Sequence, residues 1–125
     1  MFLWLLLGLT VMACSQLSPE EKALKAAQKC YESLLDGNFD DFLDGRAYAD
    51  NLPDAYRSQL LEAYKQFIHQ QKQAHGGIDG LEPTRAKMDS TLGVMQAFLI
   101  CRYADGVSEE IVVPMIEQDG HWKMK

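Results

Sequence analysis

The sequence predicts an α+β domain in which three helices precede, and pack on, a four-stranded antiparallel sheet. Two observations carry the prediction. Before Gly77 the apolar residues recur at helical spacing, as on a helix with one buried face. After Gly80 they alternate or run uninterrupted, and the dipeptides Asp105-Gly106 and Asp119-Gly120 stand between the runs, where hairpin turns belong.

Each helix carries its own start and stop. Ser18-Pro19-Glu20-Glu21 offers an N-cap serine, a proline at the first helical position and a glutamate that closes a capping box. Leu24, Ala27, Tyr31, Leu34 and Leu35 then share a face, and Gly37 stops the helix. Asn38 can cap a short second helix from Phe39 to Leu43, ended by Gly45. A loop follows through Asn51. The third helix starts near Pro53, carries the stripe Tyr56, Leu60, Leu61, Tyr64, Phe67 and Ile68, and ends at Gly76-Gly77.

The strands follow. From Thr84 to Thr91, Arg85, Lys87 and Asp89 alternate with Ala86 and Met88. A second strand, Leu92 to Tyr103, is apolar on both faces; a third runs from Glu109 to Glu117 and the last from His121 to Lys125. With Asp119-Gly120 as a two-residue turn, Glu117 faces Trp122 and Met115 faces Met124. A two-residue turn at Asp105-Gly106 sets Phe98 opposite Val113, Ile100 opposite Ile111 and Arg102 opposite Glu109. This register puts Gln96, Phe98, Ile100, Ile111, Val113, Met115, Trp122 and Met124 beneath the helices. Met95, Ala97, Leu99, Cys101, Tyr103, Val112, Pro114 and Ile116 then form the outer face.

Ahead of the domain, residues 1–13 carry no charge and are mostly apolar. The run is too short to span a bilayer and has the size of a signal-peptide core. Val11-Met12-Ala13-Cys14 resembles a lipobox, the motif cut before a cysteine that carries diacylglycerol. The resemblance implies a signal peptide over 1–13, a lipidated tether over 14–17 with lipid on Cys14, and a domain over 18–125. It also implies a lipid-anchored protein in the cell envelope of a Gram-negative bacterium, periplasmic or surface-facing. Each buried methylene of an acyl chain contributes about 0.8 kcal/mol, so a multiply acylated cysteine holds firmly.

Twelve Lys and Arg against eighteen Asp and Glu give a net charge of −6. Such a surface repels phosphate backbones and anionic headgroups, which argues against nucleic acid and against docking on lipid through the domain itself. Export makes a Cys30–Cys101 disulfide chemically allowed, and the sequence leaves their pairing open.

The order of elements, with Ile111-Val112-Val113-Pro114-Met115-Ile116-Glu117 leading through Asp119-Gly120 into Trp122-Lys123-Met124, resembles lipoproteins of the nuclear transport factor 2-like superfamily. The resemblance covers residues 18–125 and implies a cystatin-like cone, in which a curved sheet wraps a long helix. In that superfamily the cone can hold a small-molecule pocket. Some members are enzymes, while many bind ligands or dimerise. Asp44 to Pro53 leaves no room for an extra hairpin, so the cone is expected to be shallow.

The candidate chemistry is sparse. His69 and His75 lie about 240° apart around a helix and His121 sits at a hairpin tip, so no metal site is expected. Asp40-Asp41 and Glu109-Glu110 read as solvated acids at element starts, and no cofactor is expected. A pocket lined by Tyr31, Tyr64, Phe98 and Trp122, with Gln96 as its orienting polar group, is the functional candidate. The outer-face residues Met95, Leu99, Tyr103, Val112 and Ile116 would form an apolar patch suited to homodimerisation. The expected function is therefore a membrane-tethered, non-catalytic domain binding a small ligand or a protein. The alternative is a small-molecule hydrolase or isomerase.

Overall fold

The computed structural model describes residues 16–125, so the expected signal peptide over 1–13 and Cys14 lie outside the described residues. Helix α1 (Pro19–Leu35) starts where its cap predicts, with the Glu21 amide donating to Ser18 Oγ at 3.2 Å. Just past its end Gly37 takes φ +80°, a backbone conformation that a Cβ would strain. Helix α2 (Phe39–Asp44) follows without a side-chain bond from Asn38, then one 3₁₀ turn (Ala49–Asn51) and helix α3 (Asp54–His75).

The sheet runs β1 (Ile78–Asp89), β2 (Val94–Tyr103), β3 (Ser108–Gln118) and β4 (His121–Met124), antiparallel throughout and in sequence order. Strand β1 starts well before Thr84 because a bulge between Pro83 and Arg85 lets an edge strand accommodate proline and continue. At the last hairpin Asp119 and Gly120 both adopt positive φ, 52° and 80°, as a type I′ turn requires. Glu117 pairs with Trp122 and Met115 with Met124, as expected.

The hairpin between β2 and β3 departs from expectation. The Tyr103 amide donates to the Val107 carbonyl at 2.9 Å, which leaves a three-residue loop of Ala104, Asp105 and Gly106. Gly106 takes φ +87°, the left-handed position that closes such loops. An odd loop moves the register by one, so Phe98 faces Val112, Ile100 faces Glu110 and Arg102 faces Ser108. Every β2 side chain thereby changes face relative to the two-residue reading. Met95, Leu99 and Tyr103, expected on the outer face, are 1%, 0% and 6% exposed. They lie on the helix side with Ala97, Cys101, Val113 and Met115. Gln96, Phe98 and Ile100 instead join Val112, Pro114 and Ile116 outside.

Helix α1 lies across the sheet, and its buried face is made of Ala23, Ala27 and Leu34. Two alanines bring the helix axis close to the strands, where Phe42, Met95, Leu99, Val113, Met115 and Met124 complete the core. Helix α3 contributes no fully buried residue and touches the core through half-buried Tyr64 and Ile68. Tyr56 and Phe67, read as part of its inward stripe, are 44% and 39% exposed, because this helix packs mainly on α2 and β1. After α2 the chain pairs with β4: the Met124 amide donates to the Gly45 carbonyl at 2.8 Å, and the Ala47 amide to the Met124 carbonyl at 2.7 Å.

Candidate functional site

The cone opens where the three helices converge on β3. Tyr31 sits one turn before buried Leu34 on α1, Phe42 is carried in by the short α2, and Tyr64 comes from the inward side of α3. Tyr31 and Phe42 meet edge to face with centroids 5.3 Å apart at 78°, and Phe42 and Tyr64 at 4.8 Å and 86°. Both geometries set the positive edge of one ring against the electron-rich face of the next. Together with Val113 and Met124 they line a cleft of about 220 Å³, whose rim carries Arg46 and Lys125. Burial pushes the Tyr31 hydroxyl up from its ordinary range, and the neighbouring Cys30, Tyr64 and Cys101 add to the shift. Tyr31 is therefore a neutral hydroxyl, able to donate or accept one hydrogen bond.

Of the residues proposed from sequence, Tyr31 and Tyr64 come together in this cleft. Trp122 lines a different opening, between α1 and the β3–β4 hairpin. Gln96 and Phe98 face away from both, a consequence of the shifted register. Gln96 Nε2 donates to Asp89 Oδ2 at 3.4 Å, and Phe98 is buried beneath the Arg85 guanidinium, 3.8 Å from its ring centroid. Phe42, which bridges the two tyrosines, was not among the expected residues. Its signal is slight: one of two apolar neighbours, Phe42-Leu43, in a helix too short to show a period.

A polar clasp closes the far end of α3. His75 Nδ1 lies 2.7 Å from Asp105 Oδ2, the imidazole stacks on Tyr103 at 4.0 Å, and Tyr103 donates to Glu109 Oε2 at 2.7 Å. The hydrogen bond from His75, with one from the Val107 amide, holds the Asp105 carboxyl below its usual range. Accepting carboxylate and burial together raise the Tyr103 phenol. A carboxylate on an imidazole resembles half of a catalytic dyad, but here the ring lies flat on Tyr103 and ties the helix to the β2–β3 loop.

The two cysteines of the described region are free. Burial pushes both thiols up, more than Lys123 and Lys29 lower Cys30 or the Tyr103 hydrogen bond lowers Cys101. Among the described residues no group of three His, Cys, Asp or Glu is arranged to hold a metal ion. No described helix is long and apolar enough to cross a membrane.

No protein-family model matches the sequence, and no curated protein matches it. The fold has a counterpart among solved structures. A Campylobacter jejuni protein, described as a candidate NTF2-like transpeptidase, matches with a TM-score of 0.63 at 9% identity. The match covers 80% of this chain and 94% of that one. At this identity the likeness speaks for the fold alone: three helices against an open, four-stranded antiparallel sheet, the nuclear transport factor 2-like cone.

Proposed function

We propose that the chain is a membrane-tethered, non-catalytic binding domain whose cone cleft takes a small, mainly apolar ligand. One observation carries this reading: Tyr31, Phe42 and Tyr64, from three different helices, converge on one cleft with a rim of Arg46 and Lys125. Ligand pockets combine an apolar, aromatic lining with a few polar groups that orient the guest, and this cleft has both. Fluorine NMR of the full chain labelled with 3-fluorotyrosine, titrated with indole as a neutral apolar probe, tests it. The Tyr31 and Tyr64 resonances should shift saturably, and Phe42→Ala should weaken the effect about tenfold. Resonances that stay fixed at millimolar indole would overturn the reading.

The tether is a separate part of the proposal. Metabolic labelling with an alkyne palmitate should mark the protein, and Cys14→Ser should release it from membranes. Unlabelled protein that stays membrane-bound after the substitution would remove the anchor. Pairing of two copies through Val112, Pro114 and Ile116 completes the proposal; Met95, Leu99 and Tyr103 take no part, since they lie under the helices. A transpeptidase activity, suggested by the neighbour's description, would need a nucleophile, and thiols held protonated by burial are poorly suited to the task.

A further inference from the structure

We infer that the groove between α1 and the β3–β4 hairpin is a second binding site, built for a flat organic anion such as an aromatic carboxylate or sulfonate. One wall is a single stripe of α1. Lys22, Ala26 and Lys29 succeed one another at about one-turn intervals, so two ammonium groups rise from one face with a small residue between them. The other wall is β4, which presents the half-buried indole of Trp122 beside Lys123. Between them lies an open space of about 630 Å³, nearly three times that of the cone cleft. Its floor is closed by backbone: Gly45 approaches so near that a Cβ there would sit 2.5 Å from Cys30 Sγ.

Three unpaired lysines face this groove. The protein carries a net charge of −6, yet no lysine in the described residues is engaged in an ion pair; the basic side chains set against carboxylates are Arg57, His75 and Arg102. Lys123 Nζ donates to the Asp44 backbone carbonyl at 3.0 Å, a bond that aims the ammonium without neutralising it. Two carboxylates also line the space. Asp44 is held by Arg57 at 2.9 Å, which leaves Asp41 alone against three lysines. Lys29 and Lys123 line the groove from opposite walls, together with Cys30. Positive charge focused between low-dielectric walls attracts an anion, and the indole face offers a planar partner stacking area that an inorganic ion cannot use. The cone cleft, smaller and walled mainly by aromatic and aliphatic side chains, keeps its two cations at the rim.

Isothermal titration of the full chain with naphthalene-1-sulfonate, and with the uncharged naphthalene-1-sulfonamide, tests the inference. The sulfonate should bind saturably and at least tenfold more tightly than the sulfonamide, shifting the Trp122 indole N–H resonance. Rising salt should weaken it, as should Lys22→Gln with Lys29→Gln, both exposed positions on α1. Adding Lys123→Gln should abolish it, and circular dichroism checks that each variant is folded. Equal affinity for the two probes, or lysine variants that bind as the parent does, would overturn the inference. Loss of sulfonate binding in Tyr64→Ala would do so as well, by placing the probe in the cone; retention there supports a separate site.

Discussion

Helices α1 and α3 lie on one sheet and are both long, yet they are held in different ways. Helix α1 is seated by burial, with Ala23 and Ala27 fully enclosed and Leu34 nearly so. Helix α3 is longer and buries no residue completely. It is fixed at points: Tyr64 against Phe42, Arg57 reaching Asp40 and Asp44 at 3.4 and 2.9 Å, and His75 clasped by Asp105 and Tyr103. Apolar burial is cooperative and insensitive to pH, whereas exposed ion pairs contribute about 0–1 kcal/mol each and respond to salt and protons. The same fold thus contains a helix that belongs to the core and one that is strapped over it.

The largest test of this contrast is truncation on each helix. Leu34→Ala should cost about 2–5 kcal/mol in chemical denaturation, because it opens a cavity under α1. Tyr56→Ala on α3 should stay within about 0.5 kcal/mol, as expected of a surface change. Comparable losses at the two sites would erase the distinction. A smaller effect concerns the contact between α1 and the turn after α2. Gly45→Ala should destabilise by about 1–3 kcal/mol, since its new methyl meets Cys30 Sγ and, at 3.2 Å, the Phe42 carbonyl oxygen. Adding Cys30→Ala should recover part of that loss, and strict additivity of the two changes would mean that the contact is not the cause.

The smallest effect is one of pH, confined to the clasp. Asp105 titrates below its ordinary 3.8 in the folded chain, so the unfolded chain takes up the proton first on acidification. Its contribution is present above that value and fades as pH falls through the lower folded value. Tyr103 is shifted upward from 10.0, so the unfolded chain loses its proton first and stability falls as pH climbs beyond that range. Amide protection factors, taken relative to the intrinsic exchange rate at each pH, should therefore fall in the last turn of α3 at both extremes while those of α1 hold. Asp105→Asn should remove the acid limb alone. A uniform fall in protection factors across both helices would contradict the strap picture.

Much of the architecture was legible because it depends on local chemistry. Ser18, Gly37 and Gly76 mark helix ends through caps and left-handed backbone, and Asp119-Gly120 dictates its own turn. The register of β2 was not legible, for two reasons. Asp105-Gly106 suits a two-residue turn as well as the end of a three-residue loop, and the choice is made by the Tyr103–Val107 hydrogen bond. Nor could hydrophobicity decide, since Phe98 and Ile100 on one face are as apolar as Leu99 and Cys101 on the other. The register carries into the site: Tyr31 and Tyr64, read from helical stripes, line one cleft, whereas Gln96 and Phe98, assigned from strand parity, face away from it and Trp122 lines another opening. The lysine-lined groove escaped detection because its walls are separated by most of the chain.

That one loop has a consequence for how such chains can diverge. Deleting a single residue among Ala104, Asp105 and Gly106 would turn over all ten side chains of β2 with respect to its neighbour β3. For most strands an inversion of that kind would drive charge into the interior. Here it would exchange one largely apolar row for another, and the one charge carried inward, Arg102, stands next to the end of the strand. An ambidextrous strand of this sort gives a lineage room to gain or lose a hairpin residue and then refit, rather than lose, its fold.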